Sequence, residues 1–272
     1  MSLVDHSLRT HLEDESAPLW WPGLAEIVAT AAESCSTTHA LTGGLQCPRW
    51  EGVVRSSRRP DIWTTVEVLT SPLERRFEVP GARFLTGDEV SQVGVRSTLA
   101  DALDELTLVP GMAEMVGHLV SRVHLLRSKD PDYDVNFSDP ALPFSVFVSI
   151  LAVPPEGYRW RLAEALLHEA GHLQLSLVER FIPLVKEGST TFYAPWRRKQ
   201  RPLRGVLHGL YVFGLIAEWM TRSGAPAGRV QRRVTEIRAD ASQLCEFPET
   251  EGLTASGATL ARTILARLIP RS

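Results

Sequence analysis

An α+β protein, predominantly helical with a small sheet, is what this 272-residue chain predicts, and three runs carry the prediction. Tyr158–Arg180 contains no proline and follows the turn-forming Pro154-Pro155-Glu156-Gly157. Its leucines at 162, 166, 173 and 177 recur at the spacing of a buried helical stripe. A second apolar run, Leu203–Met220, is long enough for another buried helix. Phe144–Val153, reading S-V-F-V-S-I-L-A-V from Ser145, is β-branched and aromatic, the composition of a strand.

Taken in order, the first ninety or so residues mix turn formers with short apolar runs and four tryptophans (Trp20, Trp21, Trp50, Trp63). They support a helix near Leu24–Ser34 and a strand near Trp63–Leu69. Ser97–Arg127 reads as helix in two pieces broken at Pro110-Gly111, with Leu99, Leu103, Leu106, Met115, Leu119 and Val123 as core positions. Lys129–Pro143 is a polar, proline-punctuated loop. Pro183–Pro202 lacks a period. A basic helix around Arg229–Arg238 and a final helix, Ala255–Leu268, complete the chain.

With 44% hydrophobic and 22% charged residues the composition is that of a soluble globular protein, and a net charge of −3 makes no case for nucleic acid. The three cysteines, Cys35, Cys47 and Cys245, are far apart and lack C-x-x-C spacing, so they read as reduced thiols of a cytoplasmic protein. Met1–Glu15 is polar and acidic, unlike a secretory signal. The longest apolar run, Gly205–Met220, is interrupted by His208 and Glu218 and is short for a membrane span, so no membrane partner is expected.

The chemistry is concentrated in His168-Glu169-Ala170-Gly171-His172, an H-E-x-x-H inside the long helical run. Positions four apart share a helix face, so both imidazoles aim at one point and a first-row metal ion can bridge them, as on a zincin-like helix beside a small sheet. Two core histidines satisfied by hydrogen bonds are the alternative; the glutamate between the pair favours metal.

A working site wants a third ligand and an open position. The metzincin extension is excluded, because Leu175 and Val178 stand where Gly and His would be needed. His208 lies in an otherwise apolar helix, flanked by Gly205 and Gly209, which permit close backbone approach; a core histidine is the alternative. Its rival is Glu236 with Asp240, an E-x-x-x-D pair like the ligand and supporting carboxylate of thermolysin-like peptidases, or else a solvated acidic face near Arg232 and Arg233. The residues favour His208. Three imidazoles suit zinc or iron; the H-x-D/E of common iron oxygenases occurs only as His11-Leu12-Glu13, near the terminus.

Five positive side chains, Arg197, Arg198, Lys199, Arg201 and Arg204, precede the His208 helix. A guanidinium there could grip the carboxylate of a dicarboxylate cosubstrate bidentately, and Arg201, before Pro202, and Arg197, after Pro195-Trp196, are the best placed. Most of the five belong to a solvated loop, since one or two clamps suffice.

Several blocks occur in order: Y-D-V-N-F-S-D-P (Tyr133–Pro140), P-F-S-V-F-V-S (Pro143–Ser149), L-A-E-A-L-L-H-E-A-G-H-L-Q-L-S-L-V-E (Leu162–Glu179), Y-A-P-W-R (Tyr193–Arg197) and R-P-L-R-G-V-L-H-G-L-Y-V-F (Arg201–Phe213). Together they resemble the α-ketoglutarate-dependent HExxH-type peptide β-hydroxylases over roughly Ser97–Trp219. The resemblance implies a mostly helical fold that is not a jelly-roll and Fe(II) held by His168, His172 and His208. It further implies α-ketoglutarate and O2 as cosubstrates, an arginine on the distal carboxylate, and hydroxylation of a peptide β-carbon in a ribosomally made precursor. Glu169 would orient a ligand or a bound water, and Glu164, one turn earlier on the same face, could do likewise. No radical-enzyme domain of the kind some relatives carry is present, so a stand-alone protein is expected. Residues 96–272 then form the catalytic domain, and 1–95 either bind the precursor peptide or complete the fold. The competing readings are a zinc metallopeptidase, with Glu169 as general base and Glu236 as third ligand, and a non-catalytic peptide-binding protein.

Overall fold

The structure, a computed structural model, describes residues 10–11, 14, 17–21, 49–130, 134–139, 142, 144–188 and 190–269. They fall into two compact units, Val28–Leu173 and a second built from Met1–Ile27 with Gln174–Ser272. The division expected at residue 95 lies inside a helix of the first unit, Val93–Leu106. The helix expected near Leu24–Ser34 lies outside the described residues.

The first unit is built on a mixed six-stranded sheet. Its strands are β1 (Arg49–Arg55), β2 (Trp63–Val68), β3 (Ala82–Phe84), β4 (Arg122–Ser128), β5 (Asn136–Ser138) and β6 (Ser145–Ser149), in the order β1-β2-β4-β6-β5 with β3 also on β4. β2 pairs β4 and β4 pairs β6 in parallel, the arrangement that needs crossovers rather than tight hairpins. The first crossover carries α1 (Ser71–Arg76), α2 (Gly87–Val90), α3 (Val93–Leu106) and α4 (Pro110–Leu119). A jelly-roll, which is antiparallel throughout, is not what forms.

The strand expected at Trp63–Leu69 is β2, and that at Phe144–Val153 is β6, shorter than expected but buried at every residue, as a strand covered on both faces should be. The helical reading of Ser97–Arg127 holds only to Leu119. Arg122–Ser128 is strand, because Val123 to Leu126 pair in register with Val146 to Ser149 of β6; Val123 is core, but from a sheet. Leu99, Leu103, Leu106, Met112, Met115 and Leu119 on α3 and α4 are at most 1% exposed, each contributing about 2 kcal/mol of burial. Within the expected loop Lys129–Pro143 the chain pairs β5 antiparallel to β6. Register sets Phe137 and His124 on either side of Phe147, with ring centroids 4.3 and 4.8 Å from it. At the bulge in β1, Gly52 has φ +128° and a Cβ there would lie 2.8 Å from the Arg96 guanidinium, which donates to the Val53 carbonyl.

α5 (Tyr158–Val178) is the helix expected over Tyr158–Arg180. Its first turns are fixed to the sheet: Tyr158 Oη donates to the Ser149 carbonyl and accepts from Leu151 N–H, and Arg161 pairs with Asp134 at 2.5 Å.

The second unit contains α6 (Leu203–Arg222), α7 (Ala227–Ser242), α8 (Ala255–Leu268) and a hairpin of β7 (Thr191–Ala194) and β8 (Lys199–Pro202). The hairpin was not legible in the aperiodic Pro183–Pro202 stretch. Its turn is a 3-10 segment, Pro195–Arg197, closed by Arg198 in the left-handed region at φ 50°. The apolar length of α6 is explained by burial: Leu207, Leu210, Tyr211, Leu215 and Trp219 are at most 1% exposed. Among the described residues no helix is long and apolar enough to cross a membrane. Tyr211 Oη donates to the Leu19 carbonyl at 2.6 Å and contacts Gln174, whose Nε2 also reaches Leu19, so the Leu19–Trp21 segment is held to this unit.

Candidate metal centre

His168 and His172 lie on one face of α5, both half-buried, with their Nε2 atoms 3.2 Å apart. With metal–nitrogen bonds of about 2.1 Å, two donors at this spacing subtend about 100°, between the octahedral and tetrahedral angles. The pair therefore fits adjacent positions on one first-row ion. Leu166, Leu167 and Ala170, beside them in the helix, are completely buried, so α5 presents the imidazoles from an apolar body.

Glu169, between them, is 3% exposed and its Oε2 accepts a hydrogen bond of 2.9 Å from the Ser138 hydroxyl on β5. A buried carboxylate without such a donor would be costly. Sequence reasoning missed Ser138; its signal was its place in the Y-D-V-N-F-S-D-P block. β5 is held at its base by Ser149 on β6, whose hydroxyl accepts from Val135 N–H and whose amide donates to Asn136 Oδ1. Glu164 is half-buried one turn before His168.

In the second unit His208 is 5% exposed and its Nε2 lies 3.0 Å from Glu179 Oε2. The same carboxylate receives Arg204 Nε at 2.7 Å, and Arg204 also reaches Ser176 Oγ at 3.1 Å. Burial would raise the Glu179 carboxyl, but the hydrogen bond and charge of His208, with the charge of Arg204, outweigh it and hold the group below the usual carboxylate range. Glu179 and Ser176 were given no role in the sequence reading, and Arg204 was named only among the five positive side chains of which one or two could clamp a carboxylate.

The expectation that Gly205 and Gly209 permit close approach is met at Gly209, where the approaching group is a side chain; at Gly205 a Cβ would find only an ordinary contact. A Cβ on Gly209 would lie 2.2 Å from the Trp196 ring, and one on Gly205 3.4 Å from Arg201 Nε. Trp196 also meets Phe213 edge to face at 5.2 Å. Arg201 is thus folded half-buried along the first turn of α6, and among the described residues its guanidinium makes no ion pair or hydrogen bond. Arg197 is exposed at the end of the 3-10 turn.

Glu236 is exposed and pairs with Arg233 at 3.3 Å, the solvated acidic face that was the alternative to a ligand. Burial raises the nearby Asp240 carboxyl against the pull of Arg233 and Arg198. His11 Nε2 bonds the Pro18 carbonyl at 2.8 Å; Glu13 lies outside the described residues, as do Cys35 and Cys47, while Cys245 is an exposed free thiol. Among the described residues no three His, Cys, Asp or Glu side chains are gathered into a ready cage. No protein-family model and no curated protein matches the chain.

Proposed function

We propose that this chain is an Fe(II)- and α-ketoglutarate-dependent oxygenase that hydroxylates a β-carbon in a ribosomally synthesised precursor peptide. The observation that carries the reading is the pair of half-buried imidazoles with Nε2 atoms at coordination spacing. His168, His172 and His208 would hold the iron, which when bound supplies the activation of O2 against the keto acid. His208 enters this set from the resemblance carried by the Arg201–Phe213 block.

Glu169, fixed by Ser138, orients the ligand set or a bound water. Arg201 takes the distal carboxylate of the cosubstrate, because among the described residues its guanidinium makes no ion pair or hydrogen bond, whereas Arg204 is tied to Glu179. The apolar residues flanking the histidines on α5 exclude water from the reacting atoms. The zinc peptidase reading needs Glu236 as a ligand, and that side chain is exposed and paired with Arg233.

The test is incubation of the protein with a precursor peptide encoded beside it, Fe(II), α-ketoglutarate and air. The expected result is a gain of one oxygen atom in the peptide with one succinate formed per turnover, lost in His208→Ala. Peptide cleavage supported by zinc and unaffected by His208→Ala would overturn the proposal in favour of a peptidase.

A further inference from the structure

We propose that the second unit binds a small amphipathic carboxylate, a short aliphatic chain ending in one negative charge, among α6, α7 and α8, with Arg238 as its anchor. A cavity of about 330 Å³ lies between these helices, at the small end of the range that ligand sites occupy. Ala217 of α6, Val234 of α7, and Ile264 and Leu268 of α8 give it apolar walls. Its floor is closed, because Ile264 and Leu19 rest on the α6 backbone: a Cβ on Gly214 would lie 2.8 Å from the first and 3.0 Å from the second. Walls of this kind favour an aliphatic chain and offer no hydrogen bond to a polar one.

The charged groups that line the cavity, Glu218, Arg238 and Arg267, differ in what they already hold. Glu218 accepts from Arg222 Nη1 at 3.0 Å and lies 3.9 Å from Arg267 Nη1, and Arg267 also donates to the Ala17 carbonyl. That carboxylate is therefore matched by cations of the fold itself. Arg238 is different: it is exposed, one turn after Val234 on the same face of α7, and among the described residues its guanidinium makes no ion pair or hydrogen bond. A guanidinium presents two parallel N–H groups to a carboxylate, so Arg238 selects an anionic head for a chain lodged against the apolar walls. An ammonium head would instead meet two arginines and a glutamate that is already paired. A neutral alcohol would gain the walls and no charge-assisted bond. None of these lining residues has a role in the proposed oxygenase chemistry, so the site stands or falls apart from that reading.

The test uses the full chain with hexanoate as the probe and hexylamine, hexanol and acetate as comparisons, followed by methyl proton–carbon NMR and calorimetric titration. Hexanoate should shift the Val234, Ile264 and Leu268 methyl signals saturably and bind at least about tenfold more tightly than hexylamine or acetate, with hexanol between. Arg238→Ala should weaken hexanoate about 5- to 20-fold, the loss of a charge-assisted pair. Arg238→Glu should reverse the preference, so that hexylamine binds more tightly than hexanoate. Because Arg238 is exposed, both variants should melt within a degree or two of the wild type without ligand, about the effect of an ordinary surface substitution. Three results each overturn the proposal: no saturable shift with hexanoate at about 10 mM, equal binding of hexanoate and hexylamine, or full hexanoate affinity in Arg238→Ala.

Discussion

Replacing Gly209 with alanine should be among the most damaging single-methyl changes in the chain. The new Cβ would stand 2.2 Å from Trp196 Cζ2 and 2.6 Å from Cε2, so the indole must retreat by about 1.4 Å to reach an ordinary carbon contact of about 3.6 Å. It cannot do so alone: its edge is against Phe213, and Phe213 has the Arg233 guanidinium over its face at 5.4 Å. Overpacking of this kind costs about 1–3 kcal/mol, against a gain of up to about 1 kcal/mol from helix propensity. Gly205→Ala is the matched control, one helical turn earlier, where the nearest atom is Arg201 Nε at 3.4 Å on a flexible side chain, so the propensity gain is kept. The difference between the two variants should be about 1–3 kcal/mol, since the propensity gain is common to both, or roughly 2–12 °C in melting temperature for a chain of this size. Differential scanning calorimetry of the two variants measures it. Equal melting temperatures would falsify the claim that the indole rests on the α6 backbone beside His208.

On the proposed function, Arg201→Ala should raise the KM for α-ketoglutarate about 10- to 100-fold, the loss of a charged hydrogen-bonded pair, while Arg197→Ala changes it less than threefold; initial-rate kinetics with both variants decide between the two. His124 is buried between Phe147 and the Glu67 carbonyl, and burial pushes its ring down to about 4 from 6.5. The unfolded chain therefore takes up the proton first, so stability is complete above pH 6.5 and falls by about 1.4 kcal/mol per unit as the pH drops toward 4. His124→Phe should remove about 3 kcal/mol of that acid dependence, read as a flatter plot of urea midpoint against pH. Ser138→Ala removes one donor from a buried carboxylate and should cost about 1–3 kcal/mol in denaturant unfolding; a loss below a few tenths would show that this hydrogen bond adds little to the fold. Glu236→Ala should leave Co(II) affinity within twofold of wild type, since removing an exposed i,i+3 ion-pair partner changes little.

What the sequence made legible was whatever follows from periodicity. α5, α6 and α8 bury continuous stripes, so their leucines announced them within a residue or two, and β6 was readable because it is buried on both faces. The β4 segment was misread because Arg122–Ser128 has no alternation to distinguish a fully buried strand from more helix; its state is decided by pairing with β6, a partner more than twenty residues away. The β7–β8 hairpin failed for a related reason. Its turn uses a left-handed Arg198 and a proline-started 3-10 segment, not the Asn-Gly or Asp-Gly signature that marks a hairpin locally. At the candidate site the meeting of His168 and His172 on one helix face was legible from spacing, and the picks among the arginines came from their neighbours in sequence. Ser138 and Glu179 were not legible, because a hydrogen-bond donor to a buried carboxylate and an acceptor for a buried ring are chosen by folding, not by local pattern.

H-E-x-x-H by itself specifies two adjacent imidazole donors and nothing about the reaction. In a peptidase the glutamate must keep an oxygen turned to a metal-bound water and receive its proton. Glu169 is instead 3% exposed, with Oε2 already occupied by a serine hydroxyl from the edge strand, an environment suited to holding a ligand shell in place. An oxygenase needs little proton transfer from the protein; it needs fixed ligands and a cation at the far end of its cosubstrate. The proposed oxygenase would use an Arg201 whose guanidinium makes no ion pair or hydrogen bond among the described residues, and a His208 ring bonded to Glu179. In the proposed reading the helix would supply the metal pair, and the buried Glu169 bonded to Ser138 is what favours an oxygenase over a hydrolase.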